Sequence, residues 1–311
     1  MENEAWIELL RKDMMGEHQA IIQYLRHAYL MGLEGIPAEI EAIARDEMRH
    51  FDWLADAIVE LGGEPTLKRD PVDLSQAPAA EQLRKDVGLE ETAIVQYRAH
   101  MEAITDPKIR RLLARIVEDE LRHKEIFEGL VAEAQAAPEP APTQAAELAK
   151  PPKRLAEILN QGIRHEYTVI LQYLYHSFVA KDKELAETMQ DSAINEMQHM
   201  GWLSESLAER GGDPDMSHTE LALTKDPVEM LEADIAVERE VTKDYTSQMT
   251  EVEEPEVKEL LGYIRDHEVY HDAVFSDLLE EAKQEGEPTQ APEKPEPPKT
   301  IPSVGSLKGE K

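Results

Sequence analysis

Residues 46–50 read DEMRH and residues 195–199 read NEMQH, and this pair is one line of a repeat that runs through most of the chain. IIQY at 21–24 returns as ILQY at 170–173, and Glu17, His27, Glu47, His50 and Trp53 return as Glu166, His176, Glu196, His199 and Trp202, each 149 positions on. Past a single deletion the spacing becomes 148, and Glu90, Tyr97, Glu120 and His123 return as Glu238, Tyr245, Glu268 and His271. An internal repeat of this length means one fold built twice, so the architecture must close within one copy. Shared apolar residues follow from duplication alone. The polar residues kept while their neighbours changed do not, and they point to a site.

Proline marks the seams. Residues 133–152, EAQAAPEPAPTQAAELAKPP, form a Pro/Ala-rich linker between modules at 1–132 and 153–283. A Pro/Glu-rich spacer at 284–300 separates the second module from a terminal peptide at 301–311. Within the modules, β-branched alternation is scarce and stretches rich in Ala, Leu, Glu, Lys and Arg predominate, the signature of an all-α protein. Hydrophobic residues make up 41% of the 311, enough for a core in each module.

The first module divides into helices at about 3–32, 38–61, 79–104 and 108–133. MGLEGIP and TDP are short turns, so they join antiparallel hairpins. The stretch GGEPTLKRDPVDLSQAPA between helices 2 and 3 is rich in breakers, and extended it reaches about 50–60 Å. That exceeds the length of a helix of about 36 Å, so the chain can run back along the bundle. Each module is therefore expected to be a four-helix bundle with a long helix 2–3 crossover, the ferritin-like connection.

Counted from the turns at 1.5 Å per residue, Glu17, Glu47, Glu90 and Glu120 come to one level of the bundle. His50 and His123 follow their glutamates by three positions and share their helix faces. One Glu from each of two helices, with Glu-x-x-His from each of the other two, is the ligand set of a carboxylate-bridged dimetal centre. The second module repeats it as Glu166, Glu196, His199, Glu238, Glu268 and His271. Comparison of the copies resolves the register: Glu91 stands opposite Arg239 and His18 opposite Tyr167, which leaves Glu90 and Glu17 as the ligands. Four inward carboxylates would repel one another and lose hydration, whereas two divalent cations balance them. Tyr24, Tyr97, Tyr173 and Tyr245 each lie seven residues after a helix-1 or helix-3 glutamate, on the ligand face. Each is a candidate to hydrogen-bond a ligating carboxylate or supply an electron, or else a heptad core aromatic. His27 and His176 are expected to serve helix packing or an entry route, not ligation, and Trp53 and Trp202 to anchor a core or interface.

Several function classes are excluded. A net charge of −32, from 65 acidic against 33 basic residues, repels nucleic acid and anionic membranes. The absence of cysteine removes disulfides, iron–sulfur clusters and thiol chemistry. The opening MENEAWIELLRKD is too charged for a signal peptide and no apolar run approaches membrane-spanning length, so a cytoplasmic location is expected.

With this ligand pattern in both modules, the chain resembles the ferritin-like superfamily, bacterioferritins and rubrerythrin-related proteins above all. The resemblance implies a ferroxidase: two irons per module and four per chain, oxidised from Fe²⁺ to Fe³⁺ by O₂ or peroxide. Manganese is a second candidate metal, and a peroxide-scavenging, rubrerythrin- or catalase-like cycle or a non-catalytic metal-binding role are the alternatives. Bacterioferritins place a haem-ligating Met just after the helix-2 glutamate, a position matched here by Met48 and Met197; packing between modules is the preferred reading of both. Bacterioferritin subunits of one module build a hollow cage, and the fused pair departs from that pattern, leaving the oligomer open. The terminal IPSVGSLKGEK, ending at Lys311, resembles an encapsulin cargo-loading peptide. Ile301, Val304 and Leu307 recur every third residue and could fill apolar pockets, with Gly305 allowing close backbone approach. The implied partner is an encapsulin shell protein, and the implied location the interior of its nanocompartment.

Overall fold

The helices break where proline and aspartate interrupt the sequence. In a computed structural model that describes residues 2–31, 33, 35–75, 77–137 and 150–284, the described residues form eight helices and no strand. They are α1 (Glu2–Leu30), α2 (Ile36–Glu60), α3 (Ala79–Ala103) and α4 (Pro107–Ala136), then α5 (Lys153–Val179), α6 (Lys183–Ala208), α7 (Pro227–Glu251) and α8 (Pro255–Lys283). Asp106 caps α4 by accepting from the amides of Lys108 and Ile109, with Pro107 opening the first turn. Asp226 does the same for α7 ahead of Pro227, and Asp182 caps α6 through the amide of Leu185. These carboxylates satisfy amides that have no partner inside the helix and sit at its positive end. Gly35, with φ 88°, turns the chain into α2, a conformation that strains residues carrying a Cβ.

One expected boundary is corrected. The linker expected to begin at 133 loses its first four residues to α4, which continues through Ala136. Glu133, Ala134, Gln135 and Ala136 form helix readily, and it is the proline at 138 that excludes the α conformation from Ala137. The remainder of that linker at 138–149, and the spacer and terminal peptide at 285–311, lie outside the described residues.

α1–α4 make one compact unit and α5–α8 another. In each, helices 1 and 2 pack as one hairpin and helices 3 and 4 as a second, and the hairpins face each other through helix 1 against helix 3 and helix 2 against helix 4. The crossover between α2 and α3 is pinned along α1. Arg11 Nε donates to the carbonyl of Glu64 (2.8 Å), Gln19 to that of Pro71 (2.6 Å), and the amide of Asp73 donates to Gln23 Oε1 (3.3 Å). The second crossover is held to α5 in the same way, the amide of Asp215 donating to Asn160 Oδ1 (2.7 Å) and that of Ala222 to Gln172 Oε1 (2.8 Å). Rising residue numbers on crossover and helix alike show that the chain returns to the far end before starting helix 3. That return makes helices 1 and 3 antiparallel and brings residues some 80 apart face to face, as in the bond from Tyr97 to Glu17.

The core is apolar at the ends of each bundle and polar in the middle. In the second unit Val169, Tyr173, Leu185, Met189, Met230 and Phe275 are buried together. Phe275 packs edge-on against Tyr173 with ring centroids 5.3 Å apart, and Phe127 packs on Tyr24 at 4.9 Å in the first. The duplicated phenylalanine thus fixes the position of the tyrosine that reaches the carboxylates.

Candidate metal centres

All twelve candidate ligands are buried, none more than 4% exposed. Two come from each helix 2 and two from each helix 4, and one from each helix 1 and helix 3, so every helix of a bundle contributes. In the first bundle His50 Nδ1 lies 2.8 Å from Glu47, 3.0 Å from Glu120 and 3.7 Å from Glu17. His123 Nδ1 lies 2.9 Å from Glu47 and 3.6 Å from Glu120. In the second, His199 Nδ1 is 2.6 Å from Glu196, 3.2 Å from Glu268 and 3.7 Å from Glu166. His271 Nδ1 is 2.7 Å from Glu196, 3.5 Å from Glu238 and 3.6 Å from Glu268. Both imidazoles of a bundle therefore turn the same nitrogen, Nδ1, toward the carboxylates.

Each bundle holds two overlapping groups of four. Glu17, Glu47, His50 and Glu120 form one and Glu47, Glu90, Glu120 and His123 the other, each with ligand atoms within 4.8 Å of one another. Glu166, Glu196, His199 and Glu268, then Glu196, Glu238, Glu268 and His271, repeat the arrangement. Glu47 and Glu120 belong to both groups of the first bundle, as Glu196 and Glu268 do in the second. They are the carboxylates able to span two ions, while the helix-1 and helix-3 glutamates serve one position each.

The donor set fits a pair of divalent cations. Buried oxygens of Glu47, Glu120, Glu166, Glu196, Glu238 and Glu268, with Nδ1 of His123 and His271, accept or donate no hydrogen bond of acceptable geometry. Buried polar atoms are rarely left so, and these point at one another. Carboxylate oxygens with two imidazole nitrogens suit iron or manganese, not a structural zinc site.

Four tyrosines brace the carboxylates, crosswise. Tyr24 OH on α1 donates to Glu90 Oε1 on α3 (2.7 Å), and Tyr97 OH on α3 donates to Glu17 Oε1 on α1. Tyr173 and Tyr245 repeat the exchange with Glu238 and Glu166. Each tyrosine thus holds the glutamate of the opposite helix, not the one seven residues ahead of it on its own. His27 and His176 lie outside the four ligand groups, and each sets Nδ1 on a buried aspartate, Asp86 (2.8 Å) and Asp234 (2.9 Å). Gln23 and Gln172 donate to the same aspartates, at 2.9 and 2.7 Å. Asp86 and Asp234 lie one turn ahead of Glu90 and Glu238 and tie helix 3 to helix 1 at that level. Their recurrence 148 positions apart is the signal in the sequence that could have found them. Trp53 is half-buried beside His50, and Trp202 is buried beside His199, at centroid distances of 5.7 and 5.8 Å. Met48 and Met197 are half-buried on α2 and α6.

Protons keep the metal-free cluster near neutrality. Burial pushes Glu17 and Glu90 well above the usual carboxylate range, and the charges of Glu120 and Glu47 push the same way. Burial, followed by Glu268, does the same to Glu166 and Glu238. Burial would lower the histidines, but close contact with Glu120, Glu17 and Glu47 outweighs it and raises His50, while Glu120 and Glu47 raise His123 to about 10. His199 and His271 are likewise raised against burial, by Glu196 first. Glu120 is lowered despite burial by its contacts with Glu90, His123 and His50, and Glu196 by the charges of His271 and His199.

A pocket leads to the first cluster between α1 and α3. Exposed Thr92 and half-buried Gln19 and Asp70 line its outer part, and Glu17, Glu47, Glu90 and Glu120 its inner end. Gly16 lies at the pocket wall, and His165 stands at the corresponding position of the second bundle's sequence.

The chain matches the ferritin-like domain family twice, over residues 7–137 and 156–285. A bacterioferritin of Desulfovibrio desulfuricans is 32% identical over 130 residues, covering 40% of this chain and 73% of that protein. An X-ray structure of the D. desulfuricans bacterioferritin, with its diiron site in different catalytic states, aligns at 31% identity over 43% of this chain and 82% of the other, with a TM-score of 0.42. Among the described residues no helix is long and apolar enough to cross a membrane.

Proposed function

The chain belongs to the ferritin-like domain family, and from that premise we propose that each bundle is a di-iron ferroxidase centre with Fe²⁺ as its substrate. The observation that carries the proposal is the pair of overlapping ligand groups in each bundle, joined through two shared glutamates. Glu47 and Glu120 would span both ions. Glu17 and His50 complete one position, Glu90 and His123 the other, and the second bundle repeats the assignment with its own six residues. Bound as a pair, each Fe²⁺ supplies one electron to O₂ or hydrogen peroxide and leaves as Fe³⁺.

The protein's contribution is geometry, proton handling and access. Tyr97 and Tyr24 fix the orientation of Glu17 and Glu90, so that their second oxygens face the ion positions. Nδ1 of each histidine must give up its proton before it can ligate, and the neighbouring glutamates must do the same. The pocket lined by Gln19, Asp70 and Thr92 is the approach for a cation to the first cluster, and the acidic surface concentrates cations around it.

Stopped-flow oxidation tests the reading. Anaerobic Fe²⁺ is expected to saturate the chain at about four ions, two per bundle, and O₂ or peroxide to oxidise them rapidly. Replacing Glu47 and Glu196 together by Ala is expected to abolish the rapid phase; unchanged kinetics would refute the assignment. Oxygen release from peroxide without net iron oxidation would favour the catalase-like alternative.

We further propose that SVGSL at 303–307 is an address for an encapsulin shell, which would give oxidised iron a volume in which to collect. The spacer at 284–300 would be the tether. Co-expression with a shell protein, with and without residues 301–311, is the test: loading is expected only with them, and equal loading would rule them out as the address.

A further inference from the structure

The two clusters match ligand for ligand, yet what stands behind their histidines differs at every position. In the first bundle the outward nitrogen of each ligand histidine faces a carboxylate: His50 Nε2 lies 3.5 Å from Asp119, and His123 Nε2 lies 3.2 Å from Asp46. In the second bundle the same nitrogens face neutral groups. His199 Nε2 lies 3.1 Å from Nδ1 of His267, and His271 Nε2 lies 3.4 Å from the amide of Asn195.

The exchange extends to the residues that hold these partners. Arg49 and Arg122 bind Asp46, and Arg115 and Arg122 bind Asp119 at 3.1 and 2.6 Å. In each case the guanidinium takes or shares the carboxylate that addresses the histidine, which fixes its orientation. At the corresponding positions the second bundle carries Gln198, Tyr263 and Tyr270. Tyr263 packs on His267 with centroids 4.8 Å apart and on Trp202 at 5.5 Å. Where the first bundle has two aspartates and three arginines, the second has two amides, a histidine and two tyrosines.

The consequence follows from what a histidine ligand needs. An imidazole that donates its outer N–H to a carboxylate is a more basic, more electron-rich ligand at its inner nitrogen, and its ring is locked in place. One that donates to a neutral imidazole or amide gains less of both. For Asn195 the amide must also present its oxygen, since the partner nitrogen carries the proton. We propose that the two centres are unequal by construction: the N-terminal centre binds its divalent ions tightly and the C-terminal centre binds them more weakly and exchanges them faster. The proposal rests on the reading of both clusters as metal centres.

Cobalt(II), which binds without redox change and absorbs in the visible, is the probe. Titrated into the metal-free full chain, it is expected to fill about two positions tightly and about two more some 10–100-fold more weakly, the range spanned by the loss of such partners. A chelator should strip the weaker pair first. Two chains assign the phases: Glu196→Ala with Glu268→Ala should leave the tight phase, and Glu47→Ala with Glu120→Ala the weak one. Two isosteric exchanges test the cause in otherwise intact protein, since Asn195→Asp should tighten the weak phase and Asp46→Asn should loosen the tight one. Four equivalent positions that neither exchange moves would overturn the inequality while leaving the metal centres standing. No cobalt bound in either bundle would bring down the metal-centre reading itself.

Discussion

Loading the metal-free protein with a redox-inert divalent ion is expected to expel protons from the histidines and glutamates of each cluster. In the first bundle His50 and His123 are raised by their glutamate partners against the pull of burial, His123 to about 10. Near neutral pH each carries a proton on the nitrogen the ion requires. Glu17 and Glu90 are pushed up by burial and by Glu120 and Glu47, so these carboxyls supply the remaining protons. Each ion position is thus served by one histidine and one glutamate that hold protons in its absence. Between about one and two protons should leave per ion bound, and apparent affinity should rise roughly ten- to a hundredfold per pH unit. Calorimetry of Zn²⁺ binding in two buffers of different ionisation enthalpy counts the protons directly. Release of far less than one proton per ion, with affinity flat from about pH 6 to pH 8, would refute the account of how the cluster stays neutral.

The same shifts govern stability. Because Glu17, Glu90, Glu166 and Glu238 have folded-state values above their ordinary 4.5, the folded metal-free chain binds more protons than the unfolded one above that pH. Its stability should therefore fall as pH rises from there, and the raised histidines extend the loss upward. Denaturation of metal-free and loaded protein across that range should show the decline only in the former. Tyr97→Phe removes the donor to buried Glu17 and should cost about 1–3 kcal/mol in the metal-free protein, measured by chemical denaturation; no loss would mean the bond contributes nothing. Phe275→Ala empties a fully buried position against Tyr173 and should cost about 3–5 kcal/mol, with weaker metal binding in the second bundle as Tyr173 loses its support.

Much of the centre was legible because duplication supplied a second reading of every position. Glu90 and Glu17 could be chosen over Glu91 and His18 by what replaces those neighbours in the other copy, and the structure buries Glu90 while leaving Glu91 exposed. Helix counts and the long crossover were legible for a different reason: proline and capping aspartate mark the breaks, and length alone demanded a return along the bundle. The crosswise tyrosines were not. Sequence spacing places Tyr24 on the face of Glu17, but its partner is Glu90 on a helix that only the tertiary fold brings near. The aspartates behind His50 and His123 were hidden likewise, because Asp46 and Asp119 sit next to glutamates in a very acidic chain and look like solvated surface. Only the geometry shows each reaching the histidine of the other helix. The end of α4 was misplaced because the first residues of the linker favour helix and the limit is set by a proline further on.

The central claim is that six inward side chains in each bundle are held together by a pair of ions. Anomalous diffraction from crystals soaked in Mn²⁺ or Fe²⁺ measures this most directly. The account predicts two peaks in each bundle about 3.5–4 Å apart, one flanked by Glu17 and His50 or their repeats and the other by Glu90 and His123 or theirs. Bundles with no density between those glutamates, their carboxylates turned outward to water, would contradict it.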